Sequence, residues 1–257
     1  MPADDTVIWR FMTPAKFLSL LTKSSIYFCQ ALKLRSVDPF EGTLPGLNRA
    51  FYELMMNSEE FARRFMRLGP TDPLPHNYRE VFSPAWRKRL NDVFASTAYV
   101  NCWNMNEFES AFLWSIYAPV GEGVAIRSTV GRLKNSIAAE KRDIYIGPII
   151  YLDYTSESID ESNSFNVFFR KRKSFEAERE LRACFLNLLE GVGWSEEALT
   201  RNPGGLHISC DLSALIEKIF ISPAAPDWYF DALTDTLQKM GYRFPITKSS
   251  LSDPAVF

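Results

Sequence analysis

The sequence contains very little histidine: only His76 and His207 occur among its 257 residues. A metal centre built from several histidines therefore cannot be assembled within this chain, and a Ser-His-Asp triad would have to use one of these two as its base. We expect the chemistry of the protein to depend on carboxylates, arginines, hydroxyl groups and aromatic rings.

Cysteine is also scarce and scattered, at positions 29, 102, 184 and 210, with no CxxC pair. This spacing argues against structural zinc and against a disulfide framework. It is typical of reduced, buried thiols in a cytoplasmic protein.

Long apolar runs and glycine-rich phosphate motifs are missing as well. No stretch reaches the roughly 20 apolar residues of a membrane span, and the N-terminus has no apolar core of a signal peptide, so no membrane partner is expected. The motifs GxGxxG, GxxxxGK[ST] and GxSxG do not occur. The net charge of −2 does not suit a chain that coats nucleic acid as a whole, although "FRKRK" is a local basic run.

The patterns that are present predict a mixture of strands and helices without a regular βαβ rhythm. "VIWRFM", "SIYFCQA", "TAYVNCWN" and "GEGVAIRST" have the β-branched and aromatic content of strands. "TPAKFLSLLTKS" and "NEFESAFLWSIYA" have helical spacing, the second with Asn106 as its expected cap. We predict one α+β domain over 1–257, with mixed, mostly antiparallel sheets, flanking helices and a helical insertion at 43–96.

The stretch "SFEAERELRACF", residues 174–185, carries the strongest concentration of charge. Its residue pattern alone favours a helix, with the glutamates on the surface. The alternative is a loop that enters a strand at Arg179, in which case Glu178 and Glu180 share one face. Two carboxylates on one face repel each other and usually require a cation or a sugar hydroxyl nearby.

Other candidate binding residues lie in strands and loops. Arg10 and Arg127 each interrupt an apolar strand, and an inward-facing arginine needs an anion. Together with Ser128 they could hold a diphosphate. Trp114 and Tyr117 could stack on a flat ring.

The order of the motifs resembles a large bacterial family of cytoplasmic domains of unknown function. The similar pieces are "WRFM", "KFLSLL", "SIYFCQA" and "DPFEG", then "VNCWN", "ESAFLWSIYA" and "GEGVAIRST", then "KRKSFEAERELR" and "IEKIFISPAA". They cover residues 8–42 and 97 to about 251. More distantly, this layout is similar to the ADP-ribosyltransferase superfamily, which has a basic or histidine residue on the first strand, a middle motif, and Glu-x-Glu entering a late strand.

The resemblance implies roles for particular residues. Arg10 matches the first position and Glu178-Arg179-Glu180 the last, while "IRST" and "VNCWN" both remain candidates for the middle motif. It implies a strand from Arg179, NAD as co-substrate without a metal, and Glu180 and Glu178 as catalytic residues. Arg10, Arg127, Ser128, Trp114 and Tyr117 would bind NAD. We assign Asp38, Glu41, Lys171 and Arg182 to the substrate site, with Arg182 paired to Asp38 or Glu41.

On this reading the protein transfers ADP-ribose to a protein or nucleic-acid acceptor or hydrolyses NAD, and a toxin or phage-defence role would follow from the family analogy. Two alternatives stay open at this point. One is a non-catalytic module that binds a ligand or nucleic acid through "FRKRK" and the arginines of the insertion. The other is a magnesium-dependent nuclease or hydrolase that uses Asp38, Glu41, Glu178 and Glu180.

Overall fold

Strands and helices of the protein follow one another in irregular order, as the sequence predicts, in a computed structural model that describes residues 1–118, 121–189 and 195–255. The strands are β1 Val7–Met12, β2 Ser25–Gln30, β3 Ala98–Met105, β4 Val124–Thr129, β5 Tyr145–Pro148, β6 Ile150–Leu152, β7 Arg170–Arg172, β8 Glu180–Leu186, β9 Gly205–Ser209, β10 Lys218–Ile221 and β11 Ile246–Lys248. The α-helices are α1 Pro14–Lys23, α2 Ala31–Leu34, α3 Gly46–Asn57, α4 Glu59–Phe65, α5 Tyr78–Val81, α6 Pro84–Thr97, α7 Ala111–Tyr117, α8 Val130–Ser136, α9 Glu197–Arg201, α10 Leu212–Leu215 and α11 Asp227–Lys239. Short 3₁₀ helices span Asn166–Phe169, Lys173–Glu178 and Ser250–Ser252.

Nine of these strands form one mixed, mostly antiparallel sheet. Its main order is β11-β10-β4-β1-β3-β2-β9, and β8 and β5 continue from the second edge of β3. Only β10 and β11 pair in parallel within it, while β6 and β7 form a separate parallel pair. With helices on its flanks, the protein has the α+β fold that the sequence predicts.

The strands β1 and β2 share one edge of β3 and leave a gap between them. Strand β1 pairs with the end of β3, through Ile8 with Met105 and Trp9 with Asn104. Strand β2 pairs with its beginning, at residues 99 and 100. Along the opposite edge, β8 pairs with β3 continuously over seven residues. We call the interval opposite residues 101–103 the strand gap.

Alternation of side chains gives the sheet two different faces. On the first, the core face, Ile8, Phe28, Trp103 and Leu181 pack in a large apolar cluster with side chains of α1, α8 and α11. On the second, the site face, the strand register places Trp9, Asn104 and Glu180 side by side, because directly paired residues point the same way. Most of the charged residues singled out in the sequence lie on or near the site face.

Helix α7 covers part of the site face and starts later than the sequence suggests. Its N-cap is Ser110, whose hydroxyl accepts a hydrogen bond from the Leu113 amide at 3.3 Å. The expected cap, Asn106, lies outside the helix. Glu109 does not complete a capping box, because its carboxylate accepts the indole N–H of Trp114 at 2.8 Å instead.

Helices α3 to α6 lie in or at the edge of the segment 43–96. They enclose a small apolar cluster around Met55, Ala62 and Tyr78. Asn48 joins this segment to a later loop, because its side-chain amide exchanges two hydrogen bonds of 2.8 Å with the Ile159 backbone. In the described ranges, no helix is both long enough and apolar enough to cross a membrane.

Candidate functional site

The Glu178-Arg179-Glu180 stretch is a sharp turn between a 3₁₀ helix and β8. Arg179 ends the helix in the left-handed conformation, with φ 43° and ψ 49°. Its carbonyl accepts the Met105 amide at 2.9 Å, which attaches the turn to the end of β3. A left-handed residue with a side chain costs roughly 1–2 kcal/mol. The turn keeps both glutamates directed toward the same lysine.

Lys171 of β7 lies between the two carboxylates. Its Nζ is 2.6 Å from Glu178 Oε2 and 3.3 Å from Glu180 Oε2. The Glu178 side chain is 29% exposed, while those of Lys171 and Glu180 are 10% and 5% exposed. Glu178 is therefore the more accessible carboxylate, and Glu180 is the more deeply buried one.

Arg182 forms an ion pair with Glu180 and fixes the position of its carboxylate. Its Nε donates to Glu180 Oε1 at 2.8 Å, and its Nη1 donates to Glu41 Oε1 at 2.6 Å and to the Phe168 carbonyl at 2.7 Å. All three charged side chains are buried. The predicted pairing of Arg182 with one of the two loop acids is thus present, with Glu41 as the partner.

Asp38, the other acid of the "DPFEG" loop, pairs with Arg172. The distance between its Oδ1 and Arg172 Nη2 is 2.6 Å, and the guanidinium also lies 4.4 Å from the Phe40 ring centroid. Asp38 and Glu41 are both about 2% exposed. Their ion pairs hold the loop against β7 and β8. Because both side chains are buried, they position other residues of the site and do not face solvent.

The pKa values of the two glutamates move in opposite directions. Burial would raise the pKa of Glu180, but the charges of Arg182 and Lys171 outweigh it and hold that pKa at about 2. Burial raises the pKa of Glu178 above its ordinary value, and the hydrogen bond from Lys171 only partly opposes this. Glu180 is therefore a fixed anion, whereas Glu178 is the easier of the two carboxylates to protonate.

Arg10 lies at the strand gap, on the core-face side of β1 with Ile8, and has no carboxylate partner among the residues described. Its guanidinium donates to the Tyr27 carbonyl at 3.4 Å and lies 5.8 Å from the Trp103 ring centroid. Burial lowers its pKa below the ordinary value, which is the direction expected for a cation removed from water without an anion. This arginine is a candidate anion-binding group.

Tyr117 lies within electrostatic range of the two glutamates. Burial, followed by the charges of Cys102, Glu178 and Glu180, raises the pKa of Tyr117 to about 12. The tyrosine ring is 42% exposed, so it can contact a ligand at this position.

Arg127 and Ser128 do not join this group. In the pairing of β1 with β4, Trp9 lies opposite Arg127 and Arg10 lies opposite Ile126. Arg127 therefore lies on the same side of the sheet as Trp9, the site face, whereas Arg10 lies on the core-face side. Arg127 forms an ion pair with Glu217. The structure therefore does not bring Arg10 and Arg127 together around one diphosphate.

Ser128 and Trp114 are also committed to structural contacts. The Ser128 hydroxyl is buried and donates to the Leu215 carbonyl at 2.5 Å. Trp114 is buried against Phe11, with ring centroids 5.0 Å apart. Of the two aromatic residues proposed to stack on a ring, only Tyr117 has an exposed side chain.

Three residues of the site were not selected from the sequence: Cys102, Asn104 and Tyr151. Asn104 lies beside Glu180 on the site face, and the hydroxyl of Tyr151 accepts the Glu180 amide at 2.8 Å. Cys102 and Asn104 belong to "VNCWN", which was already a candidate for the middle motif. Tyr151 had no comparable signal, because its role depends on the pairing of β6 with β7.

The basic run "FRKRK" is largely neutralised within the fold. Besides the pairs of Lys171 and Arg172, the Nζ of Lys173 lies 3.5 Å from Glu157. Arg170 donates to the neighbouring Phe169 carbonyl at 3.1 Å. The run therefore serves mainly to anchor acidic side chains.

Two cavities lie away from this site. One cavity of about 410 Å³ is bordered by Lys134, Glu140 and Arg142, and another of about 600 Å³ by Tyr242 and Phe244.

The acids of the site are paired with cations. Within 1–118, 121–189 and 195–255, no group of three or more acidic, histidine or cysteine side chains is arranged to hold a metal ion.

Comparison with known proteins gives no assignment: no family model and no curated protein matches the chain.

Proposed function

We propose that the protein is an NAD-consuming enzyme that transfers ADP-ribose to an acceptor or to water. The observation that carries this proposal is the pair Glu178 and Glu180, which share Lys171 yet have pKa values displaced in opposite directions. Two neighbouring carboxylates with separated pKa values are the usual arrangement for cleavage of a glycosidic bond. The resemblance to ADP-ribosyltransferases, which enter a late strand with Glu-x-Glu, supports the same reading.

In this proposal Glu180 stabilises the charge that develops on the ribose. The bond between ribose C1′ and the pyridinium nitrogen breaks, and its electron pair stays on nitrogen, so neutral nicotinamide leaves without a general acid. The ribose becomes an oxocarbenium ion, which a fixed anion stabilises. A pKa of about 2 keeps Glu180 ionised at neutral pH, and its carboxylate also accepts the ribose 2′-hydroxyl.

Glu178 completes the reaction as a general base. The acceptor oxygen, from water or from a hydroxyl of another molecule, forms a bond to C1′ and passes its proton to the Glu178 carboxylate. A raised pKa suits this role, because a base works best when its pKa approaches the working pH. Its partial exposure gives the acceptor a path to the reaction centre.

Arg10 and Tyr117 supply the binding contacts in this proposal. The guanidinium of Arg10, which lacks a carboxylate partner in the described chain, pairs with the NAD diphosphate. The exposed ring of Tyr117 stacks on nicotinamide.

The test is release of nicotinamide from NAD by the purified protein, with and without cell lysate. We expect release from the wild type and a loss of at least 100-fold in Glu180→Gln and in Glu178→Gln. Release without lysate indicates hydrolysis, whereas a requirement for lysate indicates transfer to an acceptor. Glu176→Gln is the matched control, because Glu176 is an exposed glutamate of the same 3₁₀ helix.

Folding of each variant is verified by circular dichroism, so that a loss of activity is not a loss of structure. A folded wild type that neither binds NAD nor releases nicotinamide would contradict the proposal. Equal release from the wild type and both site variants would also contradict it.

A further inference from the structure

Asn104 carries a buried polar atom that has no hydrogen-bond partner. The residue is 5% exposed, and its Oδ1 has no donor. Its Nδ2 donates to the Glu178 carbonyl, which fixes the amide orientation, since a reversed amide would set two oxygens against each other. A buried acceptor without a donor is uncommon in a native protein and indicates a missing partner.

The position of Asn104 links this acceptor to the proposed reaction centre. It pairs directly with Glu180 across β3 and β8, and both side chains lie on the site face. Side chains of directly paired residues start about 5 Å apart. The two acceptors can therefore each receive one hydroxyl of a vicinal diol, whose oxygens are close neighbours on a sugar ring.

We propose that the Asn104 amide oxygen accepts the 3′-hydroxyl of the nicotinamide ribose while Glu180 accepts the 2′-hydroxyl. This inference rests on the proposed function and adds a residue that determines specificity for ribose over 3′-deoxyribose. The Asn104 oxygen lacks a donor, and the Glu180 carboxylate, which accepts from Arg182 and Lys171, has lone pairs left for a further one. A cis-diol supplies one donor to each. A ribose that lacks the 3′-hydroxyl leaves the Asn104 oxygen without a partner.

Access to the oxygen requires a neighbouring side chain to move, because the atom is sealed from solvent in the free protein. Glu178 is the neighbour with room to turn: its backbone contacts the Asn104 amide, and its side chain is 29% exposed. In the described part of the chain, Lys171 alone donates a hydrogen bond to that carboxylate. The proposal therefore includes a turn of the Glu178 side chain when the ribose binds.

The test measures the affinity of the protein for NAD and for two analogues that lack either the 2′- or the 3′-hydroxyl of the nicotinamide ribose. Rapid-mixing tryptophan fluorescence records binding before cleavage. We expect the wild type to bind NAD about 10-fold more tightly than the 3′-deoxy analogue. In Asn104→Ala this ratio should fall to about 1, while the penalty for the 2′-deoxy analogue remains.

Asn101→Ala is the matched control. Asn101 lies on the same strand but on the core face, with its amide bonded to the Tyr27 carbonyl at 2.8 Å and to the Trp103 indole at 2.6 Å. This variant should keep the 10-fold ratio. Asn104→Leu removes the acceptor oxygen while keeping a side chain of similar size, and it should also lower the ratio to about 1, which provides a second test if the alanine variant does not fold.

A wild type that binds NAD without distinguishing the 3′-deoxy analogue overturns this inference and leaves the proposed function intact. A 10-fold ratio that persists in Asn104→Ala overturns it equally, because the hydroxyl would then bind elsewhere. A wild type that binds neither NAD nor its analogues contradicts the proposed function itself.

Discussion

Glu178 and Glu180 behave differently although only one residue separates them. Both lose contact with water, and burial acts in the same direction on each. The difference arises because Glu180 contacts two cations, Arg182 and Lys171, whereas Glu178 contacts only Lys171. The number of cations that a buried carboxylate contacts thus determines whether the folded state keeps it ionised.

This arrangement predicts how Glu180 contributes to stability at different pH values. Its pKa falls from 4.5 to about 2 on folding, so the stabilisation is fully present above about pH 5 and decreases as the pH falls toward 2. We expect Glu180→Gln to lower the free energy of unfolding by about 3 kcal/mol at pH 7, and the difference between variant and wild type to shrink between pH 5 and pH 3. Urea unfolding at a series of pH values measures this.

The exposed Glu176→Gln variant provides the comparison, and we expect its difference from the wild type to stay near zero throughout. A difference for Glu180→Gln that does not change with pH would contradict a depressed pKa in the folded protein.

Strand pairing decides which of the predicted residues can act together. Arg10 and Arg127 both interrupt apolar strands, and the sequence does not reveal their relative orientation. The register of β1 against β4 turns them to opposite faces, and Glu217 pairs with Arg127. Arg127 lies on the site face but is already paired, whereas Arg10 lies on the core-face side at the strand gap without a carboxylate partner in the described residues. The tertiary arrangement, and not the residue type, therefore determines which arginine is left to bind an anion.

We therefore expect different effects of substituting these two arginines. Arg10→Gln should weaken binding of NAD and of inorganic pyrophosphate by 10-fold or more, because a charge-assisted contact is lost. Arg127→Gln should leave both affinities unchanged and lower stability by less than about 1 kcal/mol, as is usual for a partly exposed ion pair. Titration calorimetry measures both affinities, and equal losses in the two variants would contradict the separation by face.

The sequence predicts the positions of most strands and helices better than it predicts their faces. The strands β1 to β4 and helix α1 occur close to where their patterns indicate. The residue pattern of 174–185 favours a helix. This prediction is wrong beyond Glu178, because strand β8 begins at Glu180. Strand β8 is buried on both faces. In the sequence, the charged residues Glu180 and Arg182 alternate with apolar ones such as Leu181, which is the pattern of a strand with one solvent-exposed face. The two charged side chains are nevertheless buried, because they form an ion pair with each other.

The site could be predicted in part for the same reason. The pairing of Arg182 with a loop acid is predicted together with the family resemblance, and the structure has it with Glu41. The burial of Arg182 makes the pairing necessary, since a buried arginine requires a carboxylate. The contacts that bury Ser128 and Trp114 depend on which helix covers each strand. The residues next to them in the sequence do not reveal this packing.

At the scale of the whole molecule, most charge of the basic segment is used internally. The net charge is −2, and Lys171, Arg172 and Lys173 each have an acidic partner. A surface that attracts nucleic acid needs cations that are free to contact phosphates. This favours a small-molecule site over a nucleic-acid interface.

We expect a labelled duplex or single-stranded oligonucleotide to bind no more tightly than about 100 µM at roughly 0.15 M salt, near the weak end of non-specific binding. Fluorescence anisotropy measures this affinity. Micromolar binding that depends steeply on salt and is lost in Lys173→Gln would instead support the nucleic-acid binding module. Lys239→Gln, at the end of α11, is the control for a general effect of charge.

The ion pair between Arg182 and Glu41 joins residues 141 positions apart in the chain. At a synthesis rate of about 5–20 residues per second, the ribosome needs roughly 7–28 seconds to add the arginine after the glutamate. During that interval the "DPFEG" loop has no cation from β8 to neutralise Glu41, so its acids stay hydrated and the strands around it cannot be closed over them. The nascent chain can therefore bury Glu41 and close the sheet around it only after β8 has emerged from the ribosome.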